Sequence, residues 1–211
     1  MARRADLGRL IVVPLVTMLL VSELIRLAHR GGQGATGALG WLTTTLICAF
    51  YAMIIWFYLR RGPAVASTES AVARVAAVAA TAVPFAFLLL AGQRVEAGQQ
   101  LAADVLLAVG NAWALWALVF LGRNLSIIAQ ARGVADRGPY RWVRHPMYAG
   151  ELIAGLGLAL TLGSAAAFAL WLALCGLQVY RAIREEEILL RALPEYRAYR
   201  RRTAALLPGI F

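Results

Sequence analysis

"MYAGELIAGLGLALTLGSAAAFALWLALCGLQVY", residues 147–180, is apolar almost throughout and interrupted once, at Gly163 and Ser164. Glycine followed by serine is helix-breaking punctuation, so the stretch reads as two shorter helices folded back on each other. About 17 residues at about 1.5 Å each cover only about 25 Å, so the hairpin either crosses a thinned bilayer or stops short of the far face. Its two mouths are polar. The first reads "GPYRWVRHPMYAGE" over residues 138–151, with two arginines, a histidine and two tyrosines; the second continues as "RAIREEE" from Arg181.

Upstream lie four more apolar stretches, residues 10–28, 39–59, 72–91 and 101–121. Each is near the roughly 20 residues that a helix needs to cross hydrocarbon. The first lacks a small-residue cleavage site before Glu23 and Arg26 and reads as a retained helix. The fold expected is all-α and polytopic: four full-length spans (residues 1–121), then a loop, a shorter hairpin and an interfacial C-terminal helix (residues 122–211).

A net charge of +10 with 61% hydrophobic residues and a mean hydropathy of +0.69 excludes an ordinary soluble domain. All 21 basic residues are arginine, and the alanine, glycine and arginine richness points to a bacterial, high-GC source. The arginines lie in the gaps between apolar runs, which membrane topology explains better than nucleic acid does. With the N-terminus cytoplasmic, only Arg26, Arg30 and Arg94 fall on the far side. Both termini are therefore expected in the cytoplasm, in a bacterial inner membrane, with the 122–146 segment and the tail from Arg181 on one face. Cys48 and Cys175 sit within apolar runs with no metal-ligand spacing, so neither a disulfide framework nor a metal site is indicated.

Two polar segments far apart in sequence can thus build one site. Pro146 suits the first turn of a helix, whose free N–H groups beside Arg144 make a seat for a carboxylate or phosphate. The alternative is that Arg141 and Arg144 anchor to headgroups, His145 caps, and Tyr140 and Tyr148 belong to an aromatic belt. Glu185, Glu186 and Glu187 either hold a polar ligand or pair with Arg181, Arg184 and Arg191 along a solvated face. In the tail, Ile183, Ile188 and Leu189 are spaced for a helix that continues past the last span until Pro194 interrupts it, closing over the hairpin along the cytoplasmic face.

"GPYRWVRHPMYAGEL" followed by "EEEILLRALPEYRAYRRRTAALLPG" resembles the membrane methyltransferase family that includes isoprenylcysteine carboxyl methyltransferases and phospholipid N-methyltransferases. Its pattern is Gly-x-Tyr, Arg-His-Pro-x-Tyr-x-Gly, a Glu pair, Tyr-x-x-Tyr and a final Pro, and the likeness covers roughly residues 122–208. The resemblance implies an S-adenosylmethionine pocket formed by loop, hairpin and tail, held by Tyr140, Arg144, His145, Pro146, Tyr148, Gly150 and a Glu pair. Aligning on Pro194 and Tyr196 gives Glu185 with Glu186; aligning on Ile188 gives Glu186 with Glu187. It further implies a lipid-like or prenylated small-molecule acceptor among membrane lipids, and no nucleic acid. Glu151 departs from the prenylcysteine branch of the family, and an intramembrane carboxylate points to function. Glu151 is expected to reach an acceptor amine or Arg123, the two catalytic candidates, or else to snorkel to the interface. The run "HPMYAGEL" also resembles sterol reductases that use NADPH. A catalytically silent scaffold or transporter is disfavoured because spans two to four read as almost free of polar midplane residues.

Overall fold

The computed structural model describes residues 7–30 and 37–206. The N-terminal Arg3 and Arg4, counted among the cytoplasmic arginines, and Pro208, the final proline of the motif, lie outside the described residues. Among the described residues the chain is mostly helical: α1 (Leu7–Arg30), α2 (Ala38–Arg60), α3 (Ala71–Leu88), α4 (Ala97–Leu121), α5 (Pro146–Leu162), α6 (Ala165–Ala192) and α7 (Tyr196–Arg202). Five of these, α1 to α4 and α6, are long and apolar enough to cross a membrane, and the protein is an integral membrane protein.

The hairpin turns where the sequence breaks. Gly163 takes a left-handed φ of 62° to end α5, and the Ser164 hydroxyl accepts the Ala167 N–H at 3.2 Å to start α6. The two arms are unequal, however. α5 has 17 residues, whereas α6 runs for 28 without interruption, about 42 Å, so the second arm is a full span and not a short one. The helix foreseen beyond the last span is α6 itself, continuing past the apolar stretch because its backbone bonds do not depend on where the lipid ends. Leu193 is extended ahead of Pro194, as a residue before proline must be, and only the short α7 follows.

α4 and α5 cross at backbone contact. A Cβ on Gly150 would lie 2.7 Å from the Ala114 nitrogen and the Gly110 carbonyl, so small residues on both helices set the approach.

The stretch between α4 and α5 is pinned to the neighbouring chain. The Ile127 N–H donates to the buried Tyr58 hydroxyl at 2.6 Å, and Arg61 lies 3.7 Å over the Tyr58 ring. A two-residue antiparallel ladder pairs β1 (Ala66–Ser67) with β2 (Gln130–Ala131). At the other end of the loop the tail adds a parallel bridge: Arg144 N–H donates to Ala204 O at 2.8 Å and His145 N–H to Ala205 O at 3.0 Å. These ties gather loop, hairpin mouth and tail at the arginine-rich end of the bundle.

Candidate functional site

At that end the two distant polar segments meet. α5 begins at buried Pro146, so the residue just before it, His145, leaves the helix axis with its side chain turned toward α6. It makes no capping bond to α5. Instead His145 Nε2 donates to Glu186 Oε1 at 3.2 Å, with Nδ1 3.9 Å from Glu185 Oε2. Its ring stacks on Tyr148, three residues on and so on the same helical face, with centroids 5.3 Å apart and planes within 7°. The Tyr148 hydroxyl donates to Glu185 Oε2 at 2.9 Å.

Glu186 is the hub. Arg144 Nε donates to it at 2.6 Å and Arg200 Nε forms an ion pair with it at 2.9 Å, so one buried carboxylate is engaged from loop, hairpin mouth and tail. Both Arg144 and Glu186 are nearly withdrawn from solvent, which makes these charge-assisted bonds stronger than surface pairs. Arg144 also donates to the Arg200 and Thr203 carbonyls, fastening the tail. Its guanidinium is thus already engaged, rather than standing open as a carboxylate seat. Glu187 turns outward to Arg184 at 2.9 Å. Of the three glutamates only Glu185 and Glu186 face the motif, because successive residues on a helix are about 100° apart.

The remaining candidates are dispersed. Tyr140 is buried under the tail, its carbonyl accepting the Tyr199 hydroxyl at 2.8 Å. Burial pushes the phenols of Tyr140, Tyr196 and Tyr199 above the ordinary tyrosine range, so they stay protonated donors. Gly150 belongs to the α4 crossing and not to the polar cluster. Arg123 is exposed on a single 3-10 turn at residues 122–124, and the contact foreseen with Glu151 does not form. Glu151 instead accepts from Gln178, which also accepts from Arg181 Nη1 at 2.9 Å. Nor does Glu151 snorkel, because its partners lie on α6 inside the bundle.

Sequence reasoning missed Gln178 and Arg181. They are 1% and 6% exposed, and the Arg181 guanidinium lies 4.7 Å over the Tyr148 ring. Its Nε has no hydrogen-bond partner among the described residues. The available signal was spacing: Gln178, Arg181 and Glu185 recur at intervals of three and four on one face of α6, yet Arg181 read as a topology charge.

A cavity of about 460 Å³ opens beside this cluster, with Glu151, Arg181, Ile127 and Met147 at its near end. It continues up the bundle between α1 to α6, lined mainly by apolar side chains. Spans two to four are less uniformly apolar than they read, since Thr43, Asp104 and Asn111 line this space.

Comparison with known proteins bears on the same stretch. Residues 99–195 match the phospholipid methyltransferase family. This is the family of membrane methyltransferases that the paired motifs resembled, and the match takes in every member of the cluster except those of the tail. The chain is also 36% identical over 107 residues to the cobalt-zinc-cadmium resistance protein CzcN of Cupriavidus metallidurans. That alignment covers 50% of this chain and 45% of the relative, so the chain spans about half the relative's length. Helices α1 to α3 lie outside the methyltransferase match, although they wall the cavity.

Proposed function

We propose that the protein is an S-adenosylmethionine-dependent methyltransferase of the bacterial inner membrane. Its acceptor is hydrophobic or lipid-tailed, as phospholipids and prenylated small molecules are, and enters the cavity from the bilayer. The observation that carries the reading is the junction of the Glu185 and Glu186 pair with Arg144, His145 and Tyr148, all within the matched segment, beside a cavity lined mainly by apolar side chains.

The residues suit that cofactor. Its cationic end and ribose hydroxyls call for carboxylates, which Glu185 and Glu186 supply. Its carboxylate calls for a cation, and the unsatisfied Nε of buried Arg181 is a donor in need of an acceptor. The stacked His145 and Tyr148 rings give a flat surface for a base or a sulfonium. When bound, S-adenosylmethionine supplies an activated methyl group. The protein's part is orientation and exclusion of water, served by the buried cluster and by the tail over it. Glu151 lies in the cavity wall, where it can hold the proton of an amine or thiol acceptor; a carboxylate acceptor needs no base. Arg123, exposed and outside that wall, is assigned to headgroup contact. The arginine-rich end faces the cytoplasm, where the soluble cofactor would be available.

Calorimetric titration of the purified protein in detergent tests this directly. Heat release with S-adenosylhomocysteine and none with NADPH is expected; the reverse result would replace the methyltransferase with a reductase. Incubating membranes with labelled methyl donor then identifies the acceptor.

A further inference from the structure

The cavity is not apolar along its whole height. On α4, Gln100, Asp104, Leu107, Asn111 and Ala114 line it at intervals of three and four, so one stripe of the helix faces inward and three of its five residues are polar. In a membrane helix such residues are turned away from lipid only at a cost in sequence choice, and default to a role in ligand contact. Gln100 donates to Asp104 Oδ1 at 2.8 Å, which leaves the second carboxylate oxygen without a partner among the described residues. Across the space stand Thr43 of α2 and Glu23 of α1, the latter paired with Arg26.

Thr43 is the decisive residue. It is 7% exposed and lines the cavity, and its Oγ1 has no hydrogen-bond partner among the described residues. Threonine in a helix ordinarily bonds to the carbonyl four residues back, as its neighbour Thr44 does to Gly40 at 3.0 Å. An unpaired buried hydroxyl costs stability unless something fills its bond. The charges are also unbalanced: Glu23 is offset by Arg26, whereas Asp104 is not offset by any cation that the structure pairs with it.

We propose that this is a second recognition subsite, and that the acceptor is an amphiphile whose tail carries a hydrogen-bond donor, a hydroxyl or a protonated amine, remote from the methylated group. The inference rests on the methyltransferase reading for the word acceptor, but the subsite itself is read from the cavity wall. Such a group offers a donor to Asp104 and a partner to Thr43; a plain hydrocarbon or prenyl tail offers neither. Helices α1 and α2, outside the matched segment, supply part of the subsite, so tail selection is a property of this chain's own N-terminal half.

Three probes of equal length test it: lauric acid, ω-hydroxylauric acid and ω-aminolauric acid, titrated into the full chain in detergent with S-adenosylhomocysteine binding measured separately. The ω-substituted probes are expected to bind about tenfold more tightly than lauric acid, the scale of one buried hydrogen bond. T43V, which keeps the side-chain shape, is expected to reduce that preference several-fold. D104N separates the two donors, abolishing preference for the amine while retaining it for the hydroxyl. Equal affinity for all three probes, tighter binding of lauric acid, or a preference unmoved by both variants overturns the proposal. Loss of S-adenosylhomocysteine binding alone would sink the methyltransferase reading and leave the probe ranking to decide the subsite.

Discussion

Glu186 and Glu187 are adjacent, chemically identical and placed in opposite circumstances. Glu186 accepts from Arg144 and His145 and is ion-paired with Arg200, while Glu187 meets Arg184 with both side chains about two-fifths exposed. Replacing Glu186 with glutamine strands a buried guanidinium, and a loss of about 3 kcal/mol in unfolding free energy is expected, with cofactor binding weakened at least tenfold. Glu187→Gln should stay within about 0.5 kcal/mol and bind normally. Denaturation in micelles and calorimetry on the two variants check the contrast; equal effects would mean that the hub is misplaced. Which pair of the three glutamates faces the site could not be read from the sequence, because a consecutive run on a helix points in three directions and only the rotation of α6 chooses. Arg144, His145 and Tyr148 were legible because Pro146, between His145 and Tyr148, fixes where a helix must begin. Arg181 was not, since a guanidinium at a span's end looks the same whether it meets lipid headgroups or a tyrosine ring.

Among the elements, α5 depends on α4 more than its length suggests. With a backbone approach that leaves no room for a methyl group at Gly150, Gly150→Ala should cost about 2 kcal/mol through forced separation of the helices. It should weaken cofactor binding indirectly, by shifting Tyr148 and His145, with normal binding restored by no polar replacement. Tail docking carries its own pH signature. Tyr140, Tyr196 and Tyr199 have phenols raised above 10.0 by burial, so the docked state holds their protons more tightly than a released tail would. This stabilisation is complete below pH 10 and is lost as pH rises beyond it. Proteolytic cleavage after Arg200 to Arg202 should accordingly accelerate above about pH 10; a cleavage rate flat across that range would show the tail held by other means. The apolar runs and the break at Gly163 fixed the helices in advance, because hydropathy and turn chemistry are local. The length of α6 and the tail's bridge to Val143 were not local, and a ladder of two residues has no period to detect.

On the scale of the whole molecule, polarity is divided between an arginine-rich end that carries the cluster and a cavity that climbs away from it between six helices. With the arginine-rich end in the cytoplasm, as proposed, reporters that function only there should be active when fused near residue 206 and inactive when inserted between α3 and α4. The opposite pattern would invert the protein and put the cluster on the wrong side for a cytoplasmic cofactor. One further consequence concerns the order of synthesis. The backbone of Arg144 and His145 is completed by residues 204 and 205, roughly sixty positions downstream. A nascent chain halted between residues 187 and 203 already owns the histidine, the tyrosine and both acidic groups, yet lacks the strand that aligns them. Competence should therefore arrive abruptly once residues 204 and 205 have been made, and a protease that removes them would silence the protein without touching His145, Tyr148, Glu185 or Glu186.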